Sequence, residues 1–188
     1  MKLHTNSAEE TYEFAKKFAE GFQGGEVLCM YGDLGAGKTL FAQGVAAGLG
    51  IDGYISSPTF TIVNEYEGRI PFYHFDVYRI ADPDEMYETG FDDYISGKGV
   101  CLIEWAELIE DIIPVPYTKI TILRDSQNPA SGRDIIIETN KSNPILIDSE
   151  SKIEYGMSAF SADSRKNFSS EILFNIAAVK NRFNYTLM

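Results

Sequence analysis

Residues 32–39 read Gly32-Asp33-Leu34-Gly35-Ala36-Gly37-Lys38-Thr39. They fit the pattern Gly-x-x-x-x-Gly-Lys-Ser/Thr at every fixed position. An apolar run, Val27 to Tyr31, precedes them and a helix-forming stretch from Lys38 to Leu49 follows. A buried strand, a tight glycine turn and a helix in that order leave few folds open. The glycines let successive backbone N–H groups point into one concavity that suits phosphate oxygens. The helix N-terminus adds partial positive charge at the same place. Lys38 is expected at the β- and γ-phosphates, and the Thr39 hydroxyl at a magnesium ion. The bland alternative is a glycine turn without a ligand. Strand, loop, Lys-Thr pair and helix, all in register, argue against it.

The surrounding pattern predicts an α/β fold with a single domain and a mixed central sheet. Ser7 and Glu10 have capping-box spacing, and Phe14, Phe18 and Phe22 then recur on one helical face up to Gly24-Gly25. Residues 59–66 and 72–79 are rich in β-branched and aromatic side chains and predict a hairpin around Glu67-Gly68-Arg69. Asp82-Pro83-Asp84 predicts a helix start running to about Glu88. Residues 100–105 predict a buried strand, residues from 106 to Pro114 a helix, and residues 119–123 and 134–138 two closing strands.

Cys101-Leu102-Ile103-Glu104 is an apolar strand ending in a carboxylate. At the carboxyl end of a central strand, Glu104 is expected beside the phosphate loop, holding magnesium directly or through water. Asp76 stands among aromatic residues, where a carboxylate is costly to bury unless paired or near a metal. From the pattern alone it is a site acid, the partner of Arg79 or an exposed strand residue. Ser57-Pro58-Thr59 is either an ordinary proline turn or a switch that senses the γ-phosphate. Asn140-Lys141-Ser142-Asn143 nearly matches a guanine-reading motif. Asn143 stands where the essential Asp belongs and cannot offer two acceptor oxygens, so ATP is preferred over GTP.

Lys and Arg number 16 and Asp and Glu 28, a net charge of −12. Strong direct nucleic-acid binding is not expected, because phosphate neutralisation needs clustered cations. Cys29 and Cys101 sit in apolar runs and read as buried thiols, and two histidines are too few for a His-based metal site. No signal peptide or stretch of about 18 apolar residues is visible, so a cytoplasmic protein without a membrane span is expected. Residues 142–188 carry five basic and five acidic residues, so the whole −12 belongs to residues 1–141. This composition shift marks residues 142–188 as a C-terminal extension to a domain of residues 1–141. Within it, residues 145–147 and 152–155 suit a hairpin and residues 169–183 a helix.

Together, four stretches resemble the TsaE family, the bacterial ATPase needed to make threonylcarbamoyladenosine in tRNA. They are residues 31–39, Ser57-Pro58-Thr59-Phe60-Thr61-Ile62-Val63-Asn64-Glu65-Tyr66, Tyr73-His74-Phe75-Asp76-Val77-Tyr78-Arg79 and Leu102-Ile103-Glu104-Trp105-Ala106-Glu107. The likeness covers about residues 1–141. It implies a small P-loop fold that binds ATP and magnesium and hydrolyses slowly without its partners, TsaD and TsaB. It implies nucleotide contacts along Asp33, Leu34, Gly35, Ala36, Gly37, Lys38, Thr39 and Leu40. Thr39 and Glu104 would hold magnesium, Asp76, Lys38 and Glu104 would be catalytic, and Ser57, Pro58 and Thr59 would form a switch. The resemblance also implies that Trp105, Gly132-Arg133 and Thr11 lie near the nucleotide. Ala106 departs from the Pro frequent in the family, and residues 142–188 have no counterpart in its short members. The competing reading is a P-loop small-molecule kinase. Residues 80–118 hold no arginine and only Lys98 as a lysine, which argues against an Arg-rich lid there.

Overall fold

The computed structural model describes residues 1–140. The domain boundary expected near 141, and the hairpin and helix expected beyond it, lie outside the described residues. The chain order is β1 (Lys2–Thr5), α1 (Ala8–Ala19), β2 (Val27–Tyr31), α2 (Lys38–Gly48), β3 (Val63–Tyr66), β4 (Phe72–Asp76), α3 (Glu85–Glu88), α4 (Phe91–Ser96), β5 (Val100–Glu104), β6 (Tyr117–Arg124) and β7 (Arg133–Asn140). All seven strands form one mixed sheet in the order β1-β7-β6-β2-β5-β4-β3. The central four, β6, β2, β5 and β4, are mutually parallel, and β3 and β7 run antiparallel to their neighbours. The carboxyl ends of β2, β5 and β4 therefore share one edge, where α/β sheets bind ligands.

The predicted α/β class and mixed sheet are present. One face of the sheet packs on α1 and α2 through Phe14, Phe18, Phe41, Leu28, Leu102 and Ile120. The other packs on α3, α4 and the turns after β5 through Phe75, Met86, Phe91 and Ile103. β2 and β5 are buried along their whole length, as strands covered on both faces must be.

Ser7 caps α1 by accepting from the Glu10 N–H at 3.1 Å, while the Glu10 carboxylate reaches back to the Asn6 N–H at 2.7 Å. The helix stops at Ala19, short of the predicted Gly24-Gly25. Arg69 ends it by donating to the carbonyls of Ala19, Glu20 and Phe22 at 2.7, 3.0 and 2.7 Å. Phe22 is past the helix but still meets Phe18 edge-on at 5.1 Å.

Other boundaries also move. Residues 59–62 form a turn and not a strand, so β3 begins at Val63. The helix expected after 106 is two 3₁₀ turns, Ala106–Leu108 and Glu110–Ile112, parted by Ile109 at φ −132°. The first follows a left-handed Trp105, and Ile109 and Ile113 turn into the core. β1 and α4 are additions to the expected elements. β1 is held at the edge by β7, with the terminal ammonium on Ile137 O at 2.6 Å. Among the described residues no helix is long and apolar enough to cross a membrane.

Two packing details are testable. A Cβ on Gly48 would lie 2.2 Å from Lys16 O and 2.9 Å from Ala19 Cβ, so α1 and α2 touch backbone to backbone. Gly48→Ala should destabilise the fold by about 1–3 kcal/mol, the usual cost of overpacking, read by denaturant unfolding. Cys29 and Cys101 are buried. Burial pushes both thiols up, Cys101 to about 12. Neither should react with iodoacetamide at pH 8 in the native state, and both should react in denaturant, as mass spectrometry would read.

Candidate functional site

The glycine loop sits between the end of β2 and the start of α2. Gly32 has φ 136°, and a Cβ there would lie 2.3 Å from Ile122 O, so only glycine fits the turn. Gly37 caps α2 at φ 113° and offers no side chain to its first N–H groups. Those amides are thus left for an anion. Two arginines brace the loop from behind. Arg124 donates to Leu34 O at 2.9 Å and Arg133 to Ala36 O at 2.6 Å.

Lys38 is buried, and its ammonium turns back to donate to the carbonyls of Gly32 and, at 3.1 Å, Asp33. It also lies 3.6 Å from the centre of the Trp105 ring. Burial lowers its pKa most, while Glu104, Glu107, Asp76 and Asp33 oppose that shift. Among the described residues this ammonium bonds to carbonyls and to no carboxylate, which leaves its charge for a negatively charged group.

Glu104 ends β5 in register with Met30 of β2 and Asp76 of β4. It is only 3% exposed. The Thr39 hydroxyl donates to its Oε2 at 3.1 Å, and His74 Nε2 lies 2.8 Å from its Oε1. Asp76 is 4% exposed. Its Oδ2 accepts from the hydroxyls of Ser57 and, at 2.7 Å, Thr59. Its Oδ1 accepts from the Tyr78 N–H at 3.0 Å. Arg79 does not pair with it; that guanidinium lies 4.5 Å over the Phe60 ring.

Two residues beside these acids hold rare backbone. Ile62, whose carbonyl accepts from the Asp76 N–H at 3.0 Å, has φ 67°, and Trp105, which follows Glu104, has φ 63°. Each costs about 1–3 kcal/mol, and such strain concentrates at ligand sites and switches.

The structure brings Lys38, Thr39, Asp76, Glu104, Ser57, Thr59 and Trp105 close to one another. Thr11, Ala36, Gly37, Leu40 and Arg133 line a small cleft against the glycine loop. Thr11 is fully buried and its hydroxyl is committed to Thr5 Oγ1 at 2.7 Å and Ser7 O at 3.2 Å. Gly132 closes the β6–β7 turn, its carbonyl accepting from the Asp125 N–H, and does not line that cleft. Arg124 and His74 join the site without a local signal, because each reaches it across strands. No cluster of three or more His, Cys, Asp or Glu side chains suited to a metal occurs among the described residues. A cation here would take the Glu104 carboxylate and Thr39 hydroxyl, and the rest of its shell from water or a bound anion.

A glycine loop feeding a helix with Lys-Thr at its head, level with an acidic strand end among the parallel strands of a mixed sheet, marks an α/β protein. The family model for "Threonylcarbamoyl adenosine biosynthesis protein TsaE" matches residues 5–135, and the chain belongs to that family. It is 50% identical over 125 residues to a Bacillus subtilis tRNA threonylcarbamoyladenosine biosynthesis protein TsaE, covering 66% of this chain and 78% of the relative. It is 40% identical over 124 residues to the protein of that name from Treponema pallidum, covering 66% and 91%. The crystal structure of Bacillus subtilis YdiB superposes with a TM-score of 0.66 at 34% identity, covering 94% of this chain and 95% of that one.

Because the Asp76 carboxylate holds the hydroxyls of Ser57 and Thr59, Asp76→Ala should loosen the turn of residues 57–62 although the main-chain bond to Ile62 remains. Amide hydrogen exchange at Thr61 and Ile62 is expected to rise tenfold or more while β2 and β5 stay protected.

Proposed function

We propose that this protein binds ATP with magnesium and hydrolyses it, and that the turnover serves threonylcarbamoyladenosine modification of tRNA. It would do so in the cytoplasm by acting on a complex of TsaD and TsaB. The observation that carries this reading is the Thr39 hydroxyl on the Glu104 carboxylate at 3.1 Å, which joins the loop helix to an acidic strand end 65 residues away.

In this reading the loop amides and Lys38 take the β- and γ-phosphates, Lys38 exchanging the carbonyls of Gly32 and Asp33 for phosphoryl oxygens. Thr39 and Glu104 would hold magnesium. One hydroxyl and one carboxylate suit a hard cation that completes its shell with water and phosphate oxygens. When bound, magnesium supplies charge neutralisation on the β- and γ-phosphoryl oxygens. Asp76 orients the attacking water. Its carboxylate is already fixed by three donors, so little reorganisation is needed. Water attacks the γ-phosphorus in line, the bond to the leaving oxygen of ADP breaks, and phosphate is released. Ser57, Pro58 and Thr59 act as the switch, since the hydroxyls of Ser57 and Thr59 hold that same carboxylate. Trp105 covers Lys38 and keeps water from it.

No arginine among the described residues has a hydrogen bond or ion pair to Lys38, Thr39, Asp76 or Glu104. In this reading turnover is slow alone and a partner completes the site. The net charge of −12 leaves tRNA contact to the partner proteins.

Phosphate release from ATP, with and without TsaD–TsaB, tests the proposal. Strong stimulation is expected. Turnover unmoved by the pair would overturn the partner-driven reading and turn the search to small phosphoryl acceptors. Lys38→Ala should weaken nucleotide binding about tenfold or more, and Glu104→Ala should lose turnover by about 10²-fold with a smaller loss of binding.

A further inference from the structure

His74 is fully buried in β4, on the sheet face that packs against α1 and α2. Its ring stacks on Phe72, with centroids 6.0 Å apart and planes 20° apart. An imidazole among apolar neighbours is costly unless hydrogen-bonded. Its single polar contact among the described residues is Glu104 Oε1, 2.8 Å from Nε2. Nδ1 is buried with no partner among the described residues. The ring proton therefore belongs on Nε2, donated to the carboxylate, because a proton on Nδ1 would be an unsatisfied buried donor facing no acceptor.

The register explains how the two meet. His74 lies level with Leu102 of β5, and Glu104 is two residues further on, so both side chains leave the sheet on the same face. Glu104 is then gripped at both oxygens, Oε1 by His74 from the neighbouring strand and Oε2 by Thr39 from the helix. A free glutamate side chain would lose rotamer freedom on being ordered. Here that ordering is complete before any ligand arrives.

We propose that His74 is a positioning residue: its Nε2–H holds Glu104 Oε1 so that Oε2 stays beside the Thr39 hydroxyl, ready for a divalent cation. This rests on the proposed function of the site. His74 itself touches neither nucleotide nor cation. Partners that orient a metal-binding group in this way are commonly worth 10–100-fold in metal affinity.

The chain has one tryptophan, Trp105, next to Glu104 and in contact with Lys38, so its fluorescence reads the site directly. The experiment measures the Mg²⁺ concentration that half-saturates this signal with ADP bound, and ADP affinity in EDTA, for the full chain and two variants. His74→Leu fills the space without a donor. His74→Gln returns an amide donor near the Nε2 position. His74→Leu is expected to raise the half-saturating Mg²⁺ concentration tenfold or more and to change ADP affinity in EDTA less than twofold. His74→Gln is expected to stay within about threefold of the parent. Unchanged Mg²⁺ dependence in His74→Leu would overturn the proposal and leave His74 as core filling. Equal losses in both variants, with matching falls in melting temperature, would overturn it in favour of packing. A parent chain that binds ADP or Mg²⁺ in no condition would instead refute the proposed function, and this inference with it.

Discussion

A carboxylate taken out of water must have both oxygens satisfied, and Glu104 is the place where this fold meets that demand. Its two hydrogen bonds come from different layers, Thr39 on α2 and His74 on β4. Satisfying them locks the start of the loop helix against the carboxyl ends of two adjacent parallel strands. Removing either donor would leave one buried carboxylate oxygen unpaired, a penalty of about 1–3 kcal/mol. α2 is held equally firmly along its length by backbone approach to α1, where Gly44 and Gly48 leave no room for a Cβ. The helix that carries Lys38 and Thr39 therefore has little freedom to shift relative to the sheet.

Against this rigid frame stands a segment of different character. Residues 57–62 are joined to the frame through Asp76, by the hydroxyls of Ser57 and Thr59 and by the Ile62 carbonyl, and by packing of Ile62 on the core. Ile62 is β-branched and held at positive φ, and Phe60 is 85% exposed. Strain and exposure in one short stretch, released by changes at one carboxylate, are what a responsive element requires. Trp105 is the matching strained residue on the β5 side, packed between Lys38 and the Tyr78 ring at 4.8 Å.

The loop was legible in the sequence because its requirements are local. Glycines at Gly32, Gly35 and Gly37, a Lys-Thr pair and an apolar strand before them are all read within thirteen residues. Glu104 was legible for the same reason, as an acid closing a short apolar run. Asp76 was ambiguous, since its neighbours in sequence offered Arg79 as an equal partner and only the fold sends Arg79 to Phe60. The end of α1 was misread because Arg69, which takes its last carbonyls, lies about fifty residues away. The two 3₁₀ turns after β5 were misread as a helix because the apolar spacing of Ile109 and Ile113 serves either backbone.

The amino-acid order by itself determined the glycine loop, the buried central strands, the class of fold and the family to which the chain belongs. Each depends on short-range patterns of volume, polarity and backbone freedom. Tertiary structure alone decided which oxygen of Glu104 faces Thr39, that His74 holds the other, that Arg124 and Arg133 brace the loop, and that β1 closes the edge. Those contacts join residues 65 to 136 positions apart, or 30 in the case of His74. No local pattern encodes them, because they arise only when the parallel register aligns the strand ends.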